Sequence, residues 1–390
     1  MDPRPPLAKS AETILFSGKE YHMIVERFRS GMKKLSEYSF EIGAIRPPSE
    51  GGSSLLIRIT RNCPWNRCKF CYGTPYNREK FHLRTVEEIK KDIQAAKTIS
   101  DEIKQVSWQL GYAGQINNVV ASTIIQREPN LNQSYSFVTV FNWLGSGGHT
   151  VFLQDADSLI MRTPDLIEVI KFLKETFLSI DRITSYARTK TICHKTMEEL
   201  KDIRASGLNR LHVGLETGDD ELLIYIDKGV TSQEQIIAGR KAIEAGFEFS
   251  AYVMPGLGGP TMSEQHAKNT ARVLNKINPD YIRLRPFVPR PNTPLFDEYQ
   301  SGELQISSPH ERLRELKIMI GALTVTSRVC FDHMMNGWRT ESGGLLFKQD
   351  YEGYKFPEEK QRVLELIEEG LQVNESIHID AKDMVKLGYL

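Results

Sequence analysis

The chain has no charge excess: fifty basic residues stand against fifty acidic ones over 390 positions, so no global field draws it to nucleic acid or to an anionic membrane. It also lacks any run near the roughly 18 apolar residues of a membrane span, and its polar opening, Met1 to Ser10, lacks the charged-then-apolar order of a signal peptide. The expectation is a cytoplasmic protein with no membrane span and no nucleic-acid partner. Cysteine is scarce, and the count of five is odd. Three of the five, Cys63, Cys68 and Cys71, fall within nine residues, which argues against a disulfide framework and for metal ligation in a reducing compartment. Low-complexity tracts are absent too. With 40% hydrophobic residues the chain can bury a substantial core.

What the sequence does contain is an alternation of short β-rich runs with longer helical ones. The strand candidates are Leu55–Thr60, Thr150–Gln154, Arg182–Ala187, Arg210–Glu216, Glu248–Met254 and Tyr281–Pro286. Helix starts between them are marked by a Ser or Thr followed three residues later by Glu, a pair whose side chains reciprocally satisfy unpaired amides: Thr85 with Glu88, Thr196 with Glu199, Thr231 with Glu234, Thr261 with Glu264. Thr163-Pro164 and Ser308-Pro309 add a cap followed by proline. Such an order favours parallel strands joined by right-handed crossovers, an α/β fold in the form of a partial (β/α)6 barrel related to the TIM barrel. Residues 1–54 are expected to form a leader with an amphipathic helix over about Lys19 to Phe40 and an entry loop over 46–54. Residues 55–300 form the barrel, and 301–390 a mostly helical extension. A long insertion at 111–149, rich in Asn, Gln and Gly, exceeds ordinary connections and is expected to serve as a lid or substrate wall.

The first strand runs straight into the cysteines: Leu55-Leu-Ile-Arg-Ile-Thr-Arg-Asn-Cys63-Pro-Trp-Asn-Arg-Cys68-Lys-Phe-Cys71. Three thiolates can hold three irons of a [4Fe-4S] cube, and the fourth iron is then open to an outside ligand such as the amino and carboxylate groups of S-adenosylmethionine (SAM). This loop, with Phe70 just before the last cysteine, resembles the radical SAM superfamily. The usual spacing there leaves three residues between the first two cysteines; here there are four. Together with Ile45-Arg-Pro-Pro-Ser-Glu, the C-x4-C-x2-C loop resembles one branch of the superfamily, related to the anaerobic coproporphyrinogen oxidase and methylthiotransferase-like branches, and the resemblance runs from about Ile45 to Leu295. It implies a radical SAM oxidoreductase with one [4Fe-4S] cluster on the three cysteines. Such an enzyme reductively cleaves SAM to a 5′-deoxyadenosyl radical that abstracts hydrogen from an organic substrate. A one-electron reductant such as flavodoxin or ferredoxin would supply it.

In α/β barrels the site lies at the C-terminal ends of the strands, so those ends should carry chemistry. The second reads Gln154-Asp155-Ala-Asp157, where the superfamily has a motif for the SAM amino group. The third ends at Arg188, able to pair bidentately with a carboxylate. At the fourth, Gly-Leu-Glu216 offers an acid to the SAM amine or ribose, and it resembles the two related branches along with Lys228-Gly-Val-Thr231. Met254 precedes a glycine-rich turn at the fifth. At the sixth, Arg283 and Arg285 share one face. No side chain is singled out as catalytic.

Cys193 and Cys330 are too few to hold a second cluster, which demotes sulfur insertion and methylthiolation. The residues before the first strand are too few for a cobalamin domain. Asp332 and His333 could face substrate or pack across the barrel. Two other readings stay open: a haem carrier on the same scaffold, and a zinc-stabilised nucleic-acid binder in which His82 completes the ligand set.

Overall fold

The computed structural model describes residues 34–43, 50, 52–71 and 80–387. All six expected strands form, as β1 (Leu55–Arg58), β4 (Thr150–Gln154), β5 (Arg182–Ala187), β6 (Leu208–Glu216), β7 (Glu248–Val253) and β8 (Tyr281–Leu284). Two short strands, β2 (Thr60–Arg61) and β3 (His82–Leu83), pair antiparallel outside the sheet. The main sheet runs β1-β4-β5-β6-β7-β8, parallel throughout, and continues into two strands from the region expected to be helical: β9 (Arg328–Cys330), parallel to β8, and β10 (Tyr354–Lys355), antiparallel to β9. The barrel core therefore extends past residue 300. A three-residue strand shows barely one period of alternation, so nothing in its sequence set it apart from a loop.

Alternation along each strand sorts the chain into two environments. Phe249, Ala251 and Val253 of β7, Leu211, Val213 and Leu215 of β6, and Ile282 and Leu284 of β8 join the main apolar core beneath the helices. The intervening side chains, Ser250 and Tyr252, Arg210 and His212, Tyr281 and Arg283, belong to the opposite face, which lines the barrel interior. The helices reach the same core from outside: Val86–Gln109 buries Ile89, Ile93, Ala96, Ile99, Ile103 and Val106 at three- and four-residue spacing.

Capping boxes form at Thr85, Thr196, Thr231 and Ser308. Thr261 caps nothing: with Pro260 fitting the first turn, the helix Gly259–Ile277 starts two residues earlier. Thr163 lies inside its helix, its hydroxyl taken up by Glu199 and Lys195.

The insertion is largely helical. It folds into helices Asn118–Arg127 and Tyr135–Gly145, and the second packs against β1 and the helix Val86–Gln109 on the outer wall. Trp143 is fully buried, with its ring edge-on to Phe177 at 5.0 Å. Ahead of the barrel, residues 19–33 of the expected leader helix and most of the entry loop lie outside the described residues. Between Lys34 and Phe40 the chain makes a single 3-10 turn, Leu35–Glu37, rather than a longer helix, and it is tied to the insertion by Glu128 and Ser136.

The N-terminal ends of the strands are closed by ionic side chains. Glu50 accepts from the Tyr351 hydroxyl, lies 3.3 Å from His212 Nε2 and 3.5 Å from Arg210, and Arg210 reaches Glu248 at 2.6 Å. Burial opposes ionisation of Glu50, but the hydrogen bonds from His212 and Tyr351 and the nearby Arg182 hold its carboxyl down at about 2. Among the described residues no helix is long and apolar enough to cross a membrane.

Trp143→Ala is expected to lower stability by about 3–5 kcal/mol, the usual cost of emptying an aromatic core position, measured by urea unfolding. Iron content per chain after reconstitution should be unchanged, since Trp143 belongs to the main apolar core outside the cysteine loop.

Candidate functional site

The cysteine loop leaves β1 through Asn62, whose φ of 65° is a left-handed conformation that Asn tolerates better than most residues. Asp155, at the end of the neighbouring β4, fixes this exit. It accepts from Arg58 at 2.7 Å and from the Asn62 amide at 3.3 Å. Arg58 also reaches Glu41, which binds Arg61, so the segment before β1 and the loop after it are joined through one ionic chain.

From there the loop crosses the barrel mouth. Lys69 N donates to Ile226 O at 2.9 Å, and Lys69 O accepts from Leu295 N at 3.2 Å, so the loop is stitched to the connections after β6 and after β8. Trp65 donates from its indole to Asp227 O and lies against Gly229; a Cβ at Gly229, whose φ is 73°, would stand 2.5 Å from the indole ring. Phe70 packs with Ile226, Leu257, Phe287 and Leu295 in a small apolar cluster of its own, joined by Met254. The loop is thereby held by backbone bonds, an indole clamp and an apolar anchor.

The three thiols share one electrostatic neighbourhood. Burial pushes the Cys71 thiol up to about 12, with the charges of Cys68 and Cys63 adding to the rise. Cys68 is raised by burial and by Cys63, while Lys228 and Arg188 pull it back. Lys228 donates to Glu216 at 2.7 Å and is raised by the charges of Glu216 and Cys68 against the cost of burial. Arg188 lies over Trp65 at 5.4 Å and donates to Lys228 O. Two cations thus face three thiols, which is the charge setting in which coordinated thiolates are stabilised. Glu216 itself closes β6 with a φ of 64°, an uncommon backbone for a non-glycine residue and one that costs about 1–3 kcal/mol. Its carboxylate folds back over Gly214, where a Cβ would meet Oε1 at 2.1 Å.

The sequence-derived set therefore divides. Cys63, Cys68, Cys71, Arg188 and Glu216 come together at the mouth, and Met254 packs on the same small apolar cluster as Phe70. Gln154 is buried with its amide on the Gly43 backbone, Oε1 accepting from Gly43 N at 2.9 Å. Asp155 holds the loop exit. Asp157 is buried beneath Arg188, accepting from Thr191 Oγ1 and from the Arg188 amide, and burial raises its carboxyl to about 6. His82 lies exposed on β3. Among the described residues no three side chains of His, Cys, Asp or Glu converge as ligands of a single metal ion. A cube grips its three thiolates at separate corners, so the donor set fits a cluster with one open iron better than a closed tetrahedral zinc site.

Sequence reasoning quoted Lys228 only as part of a motif and passed over Arg58 and Trp65. Lys228 lies 12 residues beyond its partner Glu216, across a short helix, and nothing in linear spacing pairs them.

A family model of the radical SAM superfamily matches residues 57–271, more than half of the chain. The chain belongs to the radical SAM superfamily. With that membership come a [4Fe-4S] cluster and SAM as cofactors, and radical generation from SAM as the shared chemistry. The heme chaperone HemW of Bacillus subtilis is 24% identical over 169 residues, 43% of this chain and 44% of that one. The tRNA-2-methylthio-N(6)-dimethylallyladenosine synthase of Aquifex aeolicus is 28% identical over 108 residues, 28% of this chain and 24% of that one. The aligned segments thus span less than half of these curated relatives. Among solved structures, methylornithine synthase matches at 18% identity over 82% of this chain and 73% of that one, with a TM-score of 0.43. Coproporphyrinogen III oxidase from Escherichia coli matches at 17% over 71% and 53%, with a TM-score of 0.41.

The buried Asp157 gives a pH test. Its folded pKa of about 6 lies above the unfolded value of about 3.9, so the native state holds a proton there that the unfolded chain has released. Wild-type stability is therefore expected to fall, relative to Asp157→Asn, as pH rises from about 4 to about 6. Urea midpoints across that range check it; parallel curves for the two proteins would refute the assignment.

Proposed function

We propose that the chain is an enzyme that reductively cleaves SAM at one [4Fe-4S] cluster held by Cys63, Cys68 and Cys71 and uses the resulting 5′-deoxyadenosyl radical to abstract hydrogen from an organic substrate. The observation that carries this reading is the cysteine loop, anchored across the barrel mouth with its thiols facing Lys228 and Arg188. When bound, the cluster supplies the electron that breaks the carbon–sulfur bond of SAM.

The residues around it bind and orient. Arg188 and Lys228 act electrostatically on Cys68 and suit the SAM carboxylate. Glu216, with its backbone turned inward, suits the SAM amine or ribose, and Met254 with Phe70 forms an apolar contact for the adenosyl part. Asp157 supports Arg188 from below, while Gln154 and Asp155 act one step further out, on the loop exit and on the segment before β1. Phe70 and its apolar neighbours exclude water from one side of the thiols.

A second reading has one observation in its favour, the matched segment of the heme chaperone: the chain carries haem on the same scaffold without turning over SAM. Anaerobic reconstitution with iron and sulfide, followed by dithionite and SAM, separates the two. The enzyme reading expects about four irons per chain and 5′-deoxyadenosine by mass spectrometry. Cys68→Ala is expected to abolish both. Arg188→Gln is expected to keep the iron and weaken SAM binding by roughly tenfold to a hundredfold, the worth of a charge-assisted hydrogen bond. An intact cluster that yields no 5′-deoxyadenosine, together with stoichiometric haem retention, would decide for the carrier.

A further inference from the structure

The interior wall formed by β7, β8 and β9 has a charge pattern of its own. At the N-terminal end Arg210 is offset by Glu50 and Glu248. Above it, burial keeps His212 neutral, with a pKa of about 4, and its ring is stacked between Phe152 and Tyr252 at 5.8 and 5.2 Å. Above that floor, two guanidinium groups share one carboxylate: Arg283 Nη1 donates to Asp332 Oδ2 at 2.5 Å, and Arg285 Nη1 to Asp332 Oδ1 at 3.1 Å. His333 and Cys330 add no charge of their own: burial holds the histidine down at about 3, leaving it neutral, and the cysteine up at about 12, leaving it a thiol. Among the described residues, two guanidinium groups thus share one carboxylate in a region of low dielectric.

The fine geometry shows which kind of group this pair would take. In Arg58, Arg61 and Arg162 the side-on edge, Nε with Nη2, grips a carboxylate. In Arg283 that same edge has no partner, although the side chain is fully buried. The rings of Tyr351 and Tyr281 lie 4.1 and 4.9 Å from its guanidinium carbon and give that edge no acceptor. Tyr252 is paired with Arg283 in the sheet register, and its buried hydroxyl also lacks a partner. Arg285 covers the Tyr252 ring at 4.9 Å and is the more exposed of the two arginines. A planar fork beside a hydroxyl donor matches an oxyanion, carboxylate or phosphate, more strongly than a neutral acceptor, and repels a cation.

We propose that Tyr252, Arg283 and Arg285, with Asp332 as the resident counter-charge, recognise an anionic group of the substrate, so that the substrate class is an organic carboxylate or phosphate ester. This rests on the enzyme reading above. The anion enters from the strand-end side, meets Arg285 first, and takes over from Asp332 part of the charge that the two arginines share. Anchored there, a substrate lies between the aromatic floor and the cysteine loop, with its acid end turned away from the thiols.

The test uses crystals of the cluster-loaded protein soaked in sodium bromide, with anomalous scattering to locate the ion. Bromide is expected beside Arg283 and Arg285, with occupancy lost in Arg285→Gln and binding strengthened about tenfold in Asp332→Asn, where the competing carboxylate is gone. Phenylacetate or phenyl phosphate should displace it, and phenethylamine should not; which acid displaces it at lower concentration separates carboxylate from phosphate. The proposal is overturned if bromide decorates exposed arginines but not this pair, if neither acid displaces it, if the amine does, or if SAM alone displaces it, which would make the site part of the SAM pocket. The same preparation is assayed for 5′-deoxyadenosine. A bromide site in protein that does not cleave SAM would remove the enzyme reading and leave the anion site standing.

Discussion

Three thiols brought together in a half-buried mouth repel one another as they ionise, and each also loses hydration. The strand-end architecture answers that cost. Lys228 and Arg188 supply the opposing charge, and the loop that carries the cysteines is pinned before it crosses the mouth, by Asp155 on Asn62, and after, by Lys69 on the connections behind β6 and β8. Without the pins the thiols would separate, because separation lowers their mutual repulsion. The ionic chain from Asp155 through Arg58 to Glu41 carries the same restraint outward to the segment before β1, so loop geometry and the position of that segment are set together.

Much of this was legible in the residue order. Strand ends came through because each helix behind them opens with a strong local signal, a capping pair at Thr85, Thr196 or Thr231, and because β4 and β5 have clear flanks. The cysteine spacing and the acid at Glu216 could be read directly. What could not be read depends on long-range pairing. Lys228 acquires its role only when the short helix after β6 turns it back over Glu216. Gln154 and Asp155 sit where a cofactor contact is expected, yet the fold directs them to Gly43, Arg58 and Asn62, partners lying a hundred residues away in sequence. The packing of the insertion was obscured for a related reason: its Asn and Gln content stands out, while Phe137, Val140 and Trp143, spaced three residues apart, turn one helix face into core.

The same alternation that builds the outer core also makes the interior polar. Every second residue of β6, β7 and β8 must face inward, and these strands place Arg210, His212, Ser250, Tyr252, Tyr281 and Arg283 there. An apolar lumen would have been cheaper to bury. Relatives named for such different tasks as handling heme and modifying tRNA each match part of this chain, and a shared fold does not fix a reaction. The inward residues are where this chain differs in kind from a simple scaffold.

The plug at the base of the barrel has a bearing on how the protein is made. Glu50 and Tyr351 meet across 301 positions of sequence, and Arg210 joins them from between. A nascent polypeptide still short of Tyr351 would leave Glu50 and Arg210 without that hydroxyl, in a tube open to water from below. Contacts spanning such a distance form late, since most of the chain must be ordered before they are rewarded. Closure of the floor thus waits until Tyr351 has been synthesised, 301 positions after Glu50.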